Sequence, residues 1–505
     1  MKKIKKLLNK YKTIIIVGLI VAVVIHFSLF TKNILTADVL LNTGFYSGYS
    51  WEISLGRFGL YVVGLLKGFL VMGQLEIIIS MVLMVFSTVL IVDLFNINKK
   101  SLQIGCTILM MVSPILSSMF LFHYCTLAYS LAFFTSVLAI YLFFNCKRVL
   151  GKYITPILLI VTSLSMYQAY LAVPLTFLLL YFLIKILEKK FQWKDFFKAF
   201  GIVLVASFLY FILMKITLFI FNVDLSSYRG ANEVGLKMLL DIPSRIILAY
   251  QSFYQFYFTD SIIQTGNLGI VYLNIILLLL VVVGAIYQLV KRKIKWQHSL
   301  LFIGLLLLLP LMINVIVIIF PDTMLQLLMS FGYLFIFFFL CYIVDNSKLL
   351  TIVTIFLFGL FIRGYVIQDN ATYSLLSLTY QKTYQIGLDL KDKINELGYN
   401  KEVMIAGNLD NNSYYNQKYA TEIMRLKDYT YGFVADYSLF WDEYTNIKNG
   451  WSRFMEQFVG TTIHFVDNDT YQRILESDEY KDMKTYPDCD SIKLIDDVIT
   501  IKLAK

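Results

Sequence analysis

The sequence predicts a polytopic α-helical membrane protein, on three observations. Hydrophobic residues make up 58% of its 505 positions and charged residues only 15%, where a soluble globular chain carries about 25%. Mean hydropathy is +0.69. The 44 Lys and Arg residues gather in short tracts between apolar runs, as in the cytoplasmic connections of a multi-spanning protein. That placement, and not a groove for phosphates, accounts for the formal charge of +10, so no nucleic-acid partner is expected. Five cysteines show no CxxC or zinc spacing and read as small hydrophobes.

The N-terminal MKKIKKLLNKYK is basic and Thr13 to Phe30 is apolar, near the length of one span and without a small-residue cleavage site after it. It reads as a signal anchor with its basic end in the cytoplasm. The loop to Arg57 is then external. Phe58 to Gly73 is short, glycine-interrupted and carries Lys67, which favours lying at the outer interface over crossing. With that choice the basic tracts after Phe95, Asn145, Ile186 and Val290 all fall inside. Eleven spans result, with the N-terminus inside and the C-terminus outside. Outer loops cover 31–57 and 222–267, and Arg245 to Phe258 has the aromatic-rich character of an interfacial helix. The transmembrane module covers 1–367.

Residues 368–505 change character and predict a small extracytoplasmic α/β domain. Tyr373 to Leu397 suits a helix, Glu402 to Gly407 and Thr461 to Phe465 suit strands, Asp469 to Tyr480 a helix, and Ser491 to Leu503 a closing strand or hairpin. The single turn glycine Gly407 makes no nucleotide-binding fingerprint.

Polar groups beside a lipid-embedded bundle need a partner or a use. Moving a sugar from a lipid phosphate to a hydroxyl needs a base near the hydroxyl and cations near the leaving phosphate. Asp38 and Glu52 in the first outer loop are candidates for the base. Arg57, Arg229, Arg245 and Arg363 are candidates for the phosphate, because a guanidinium matches its oxygens in a fork. His123, Tyr167, Gln168, Tyr170 and Asp322 lie at outer turns as candidate substrate contacts. Each also has a structural reading: Asp38 as a helix cap, Arg57, Arg229 and Arg245 as snorkelling cations, the tyrosines as belt anchors, Asp322 as a turn residue.

The W-E-x-x-x-G-R-F stretch at Trp51 to Phe58, S-M-Y-Q-A-Y at Ser165 to Tyr170, the Pro321-Asp322 turn, and Q-D-N-A-T-Y at Gln368 to Tyr373 before E-V-M-I-A-G together resemble bacterial glucosyltransferases of the O-antigen serotype-conversion type. The resemblance implies a GT-C-like membrane glycosyltransferase. It would take a hexose, typically glucose, from undecaprenyl phosphate on the outer side and place it on a surface polysaccharide or teichoic-acid-type acceptor. It further implies inversion by direct displacement, an acid of the first outer loop as base (Asp38 or Glu52), and no cofactor, metal or nucleotide. Two other readings compete, a lipid-linked saccharide flippase or secondary transporter and a cell-wall assembly scaffold. Span interiors that are mostly clean, Lys215 and Asn314 excepted, and a terminal soluble domain count against the transporter.

Overall fold

Long apolar runs become helices because each backbone N–H and C=O is then satisfied within its own segment, as hydrocarbon requires. The computed structural model describes residues 2–228, 241–260, 269–323, 325–409, 412, 426, 429–430 and 443–504. Among these, seven helices are long and apolar enough to cross a membrane: Gln74–Phe95, Thr126–Asn145, Gln168–Leu187, Trp193–Phe221, Ile270–Lys291, Trp296–Ile313 and Lys348–Gly398. Lys100–Met111 with Pro114–Phe120 makes an eighth if the bent pair is one span. The chain is a polytopic α-helical membrane protein, broadly GT-C-like. Lys12–Ile25, Leu150–Met166 and Phe331–Val344 are apolar but shorter, so long helices alone do not reach eleven.

Several helices depart from the expected uninterrupted spans, and each break has a local cause. The third run, expected to continue to Phe122, bends by 40° where Pro114 starts a new helix and the Ser113 side chain accepts the Ile115 N–H at 3.2 Å. Proline lacks the N–H that would continue the ladder, and a serine cap replaces it. The segment from Trp296 divides into Trp296–Leu307, Leu309–Ile313 and Val315–Ile319. Asn314, fully buried at the second break, donates to Ala249 O at 2.9 Å and accepts from the Tyr333 hydroxyl at 2.9 Å. The segment after Arg57 forms the nine-residue helix Phe58–Leu66. Its rise of about 14 Å is less than half of a roughly 30 Å hydrocarbon core, too short for this helix alone to span it.

The described chain divides into two compact units, one comprising 1–27 and 44–369, the other 28–43 and 370–505. In the first, buried aromatic contacts fill the space between helices: Phe133 packs on Phe331 with ring centroids 4.7 Å apart, and Phe177 stacks on Phe335 at 5.2 Å. Asp345 accepts from the backbone N–H groups of Asn98 and Lys99 at 3.2 and 3.0 Å, tying two connections at one end of the bundle.

In the second unit, the strands β1 (Val403–Ala406), β2 (Ile492–Ile495) and β3 (Val498–Lys502) form one sheet in the order β1-β3-β2, β1 parallel and β2 antiparallel to β3. The β2–β3 hairpin turns on Asp496 and Asp497, both at positive φ (52° and 65°), the conformation a two-residue turn needs to match strand twist. Met404, Val466, Ile474 and Val498 lie in its core. The strand expected at Thr461 to Phe465 is reduced to a single bridge, Phe465 to Val403. The helix expected from Tyr373 belongs to one continuous helix, Lys348–Gly398. The expected helix at Asp469 to Tyr480 is present as Asn468–Glu476 and Asp478–Lys481. The short helix Ala37–Leu41, capped by Thr36 whose side chain accepts the Val39 N–H at 3.3 Å, packs against Tyr444–Phe454 in this unit.

Candidate functional site

The helix Trp51–Ser54 is one turn long and ends at Leu55, followed by Gly56 at φ +79°. Gly56 N–H donates to Ile53 O and Arg57 N–H to Glu52 O, both at 2.8 Å. This is the paired closure of a left-handed helix end, and it brings the residue before the turn back onto the residue after it. As a result Arg57 Nη1 lies 3.3 Å from Glu52 Oε2, with side-chain exposures of 20% and 10%. Burial lowers the proton affinity of Arg57, but the Glu52 carboxylate outweighs it and the guanidinium holds its proton more tightly than usual. Arg57 is a permanent cation here.

Neighbouring elements hold this corner rigid. Gln168 Nε2 donates to Leu55 O at 2.6 Å and to the Tyr210 hydroxyl at 2.8 Å, and Tyr210 donates to Gly56 O at 3.0 Å. A Cβ on Gly56 would lie 2.7 Å from the Tyr210 oxygen and 2.8 Å from Met214 Sδ. The Arg57 guanidinium lies 5.0 Å from the centre of the Tyr167 ring, a stabilising cation–π arrangement. Ser226 N–H donates to Ser54 O at 2.9 Å, and Trp51 meets Tyr228 edge-on at 5.5 Å, so the segment after Phe221 docks on the turn before Phe58.

Arg57, Tyr167, Gln168, Ala169, Leu55 and Tyr228 line a cleft with Ile316, Phe320, Thr323 and Met329. It encloses about 430 Å³ of empty space, part of it open to the outside. Its lining combines a fixed cation, an amide and phenols with aliphatic and aromatic surface. Such a cleft can take an amphiphile whose anionic group meets Arg57 and whose apolar part lies along Ile316, Phe320 and Met329.

The first-unit structure brings together Glu52, Arg57, Tyr167 and Gln168 among the residues expected from sequence. Asp38, half-buried in the first turn of Ala37–Leu41, belongs to the other unit. Arg245 is buried and caps the end of Val315–Ile319, its Nη1 donating to Ile318 O and Ile319 O at 3.0 and 3.1 Å. It therefore props a segment that walls the cleft. Tyr170 is fully buried against Phe331 at 5.6 Å, its hydroxyl without a hydrogen-bond partner among the described residues. His123 Nε2 is likewise buried and unpartnered. Asp322 and Arg363 have exposed side chains, and Arg229 lies outside the described residues. Sequence reasoning did not find Tyr210, Ile316, Phe320 or Met329, which look like ordinary apolar-helix residues. It also passed over the buried Lys67–Glu76 pair (2.7 Å). Two charges interrupting apolar runs were a signal for it. Among the described residues, the metal-ligating side chains that cluster are Asp488, Cys489 and Asp490 in the second unit. Asp488 there caps the Asp490 N–H at 3.0 Å.

Residues 28–339 match the family described as glucosyl transferase GtrII. The chain belongs to the GtrII family. It is a membrane-embedded protein of a glycosyltransferase family. The matched residues include Asp38, Glu52, Arg57 and the whole cleft, and end before Arg363 and the sheet of the second unit. No curated protein and no solved structure matches the chain.

Proposed function

We propose that this GtrII-family protein transfers a hexose, glucose in the simplest case, from undecaprenyl phosphate to a cell-surface polysaccharide or teichoic-acid-type acceptor, with inversion. The observation that carries the reading is the Glu52–Arg57 pair at the head of an amphipathic cleft. A phosphate entering the cleft competes with Glu52 for the guanidinium, and the released carboxylate becomes a free base. The acceptor hydroxyl gives its proton to Glu52 and its oxygen bonds to the anomeric carbon. The bond from that carbon to the phosphate oxygen breaks, and the lipid phosphate leaves with the electron pair and the hydrogen bonds of Arg57. Burial strengthens both effects, since charges interact more strongly away from water. Tyr167 and Gln168 orient the donor. No metal or cofactor enters this scheme.

Eleven spans fit this reading if the bent pair and the three shorter apolar helices also cross, with the basic tracts inside. The cleft and residues 368–505 then lie on the outer side. Asp38 is the second candidate base. The test is transfer in reconstituted vesicles from polyprenyl-phosphate glucose to a crude surface-polymer fraction, with wild type, E52Q and D38N at matched protein. Loss in E52Q with retention in D38N is expected. Loss in D38N alone moves the base to Asp38, and lipid movement between leaflets without transfer replaces the enzyme with a flippase.

A further inference from the structure

Two lysines from different helices converge on one tyrosine, where two helices of the first unit begin. The turn Leu150–Ile154 leads into the helix Thr155–Met166, which packs against Trp193–Phe221. In the turn, Lys152 Nζ lies 5.8 Å from the centre of the Tyr153 ring and 5.4 Å from that of Phe143. From the neighbouring helix, Lys198 Nζ lies 5.8 Å from the same Tyr153 ring and donates to its hydroxyl at 3.5 Å. Ring faces attract each cation but do not cancel its charge. Two like charges gathered around one side chain repel each other.

Among the described residues neither lysine pairs with a carboxylate. The acids nearest in sequence are engaged elsewhere: Glu188 takes Lys185 at 2.7 Å and Lys190 at 3.9 Å, and Asp195 acts on Tyr181. Lys147 and Arg148, exposed on the connection that leads into the turn, add further positive charge. Apolar surface runs from the cluster along both helices. Ile154 and Leu158 are exposed, and their spacing of four puts them on one face. Trp193 and Phe197 are exposed and stacked, their ring centroids 5.7 Å apart, directly before Lys198. Tryptophan favours the headgroup level of a bilayer, and acyl chains cover exposed aliphatic side chains beyond it.

We infer that Lys152, Tyr153 and Lys198 seat the phosphate of an anionic bilayer lipid, whose acyl chain lies along Ile154 and Leu158. The phosphate relieves the repulsion between the two ammonium groups and accepts the Tyr153 hydroxyl proton in a hydrogen bond. A zwitterionic lipid brings its own ammonium group into the same cluster and gains less. A free phosphate meets the charges but leaves the apolar stripe uncovered. With the basic tracts inside, as proposed above, the lipid belongs to the inner leaflet, whose surface is negative. The binding claim does not depend on the transfer reaction.

The test titrates purified protein in detergent with phosphatidylglycerol, with phosphatidylcholine and with inorganic phosphate, following the thermal midpoint, which rises when a ligand binds the folded state. Phosphatidylglycerol is expected to raise it well above phosphatidylcholine. The double variant Lys152→Gln/Lys198→Gln is expected to need roughly thirtyfold more phosphatidylglycerol for the same rise, about fivefold for each lysine at an anionic surface. Tyr153→Phe, which keeps the ring and both cations, is expected to need about fivefold more, the loss of one hydrogen bond. The control Lys291→Gln/Lys293→Gln removes the same charge from another connection and is expected to respond as wild type. The response to inorganic phosphate is expected to be the same in wild type and the Lys152/Lys198 variant. An unchanged phosphatidylglycerol response in that variant and in Tyr153→Phe overturns the site. An equal loss in the control replaces it with diffuse attraction to an anionic surface, and a phosphate response lost with the two lysines replaces the lipid with a soluble anion.

Discussion

Glu52 and Arg57 are joined twice, by the Arg57 N–H on the Glu52 carbonyl at 2.8 Å and by the guanidinium on the carboxylate at 3.3 Å. The left-handed turn at Gly56 sets the main-chain bond, and Gln168 and Tyr210 hold that turn from other helices. Replacing Arg57 by lysine keeps the charge but loses the fork that spans carboxylate and phosphate oxygens. Arg57→Lys and Glu52→Gln are each expected to lower transfer by at least a hundredfold, the usual scale for a lost general base or anion clamp. Circular dichroism and detergent-solution monodispersity at wild-type values establish that the loss is chemical. Transfer at wild-type rate by either variant removes the pair from the mechanism.

Gly56→Ala is expected to be the most damaging single change in the segment from Trp51 to Arg57. The positive φ costs about 1–3 kcal/mol for a residue with a Cβ, and that carbon would contact the Tyr210 oxygen at 2.7 Å. The measurement is thermal unfolding beside transfer. A fully active, equally stable variant would show that the left-handed turn is dispensable.

Burial lowers His123 from its ordinary value of 6.5 to about 4. The unfolded chain then takes up a proton near pH 6.5 that the folded protein refuses until about pH 4. The stability from keeping this ring neutral is complete above pH 6.5 and declines as pH falls toward 4. His123→Gln is expected to flatten that part of the profile in thermal unfolding from pH 4 to 8. An unchanged slope would place the pH dependence elsewhere.

The Tyr333 hydroxyl donates to Asn314 where the cleft-lining helix is interrupted. Tyr333→Phe leaves the buried Asn314 oxygen without that donor, at a cost of about 1–3 kcal/mol. Because Ile316 and Phe320 follow directly, donor KM is expected to rise more than kcat falls. A drop in kcat alone, with donor KM unchanged, would detach this break from donor binding.

The membrane class of the fold was legible because an apolar run satisfies its own backbone, which needs no tertiary information. The break at Pro114 carries its cause in the sequence, whereas the one at Asn314 depends on partners in other helices, Ala249 and Tyr333. The continuous Lys348–Gly398 helix was hidden because the change in composition after Tyr365 looks like a boundary, although backbone hydrogen bonding passes through it undisturbed. At the site, Glu52, Gly56 and Arg57 were readable together because a local turn makes the contact. Tyr210 and Gln168 act by hydrogen bonds between separate helices, and no spacing announces those. Arg245 was read as a phosphate ligand from its charge; its place at a helix end follows from carbonyls more than seventy positions away.

The cleft draws its charged end and its apolar end from stretches of chain separated by more than two hundred residues. The first is a short local turn; the second is a helix broken into short pieces, followed by a buried single turn at Leu327–Met329. Sequence drift along Ile316 to Met329 can therefore change which lipid or sugar is accepted while the turn at Gly56 keeps its geometry. Chimaeras exchanging only that wall are expected to inherit the preference of the donor of the segment.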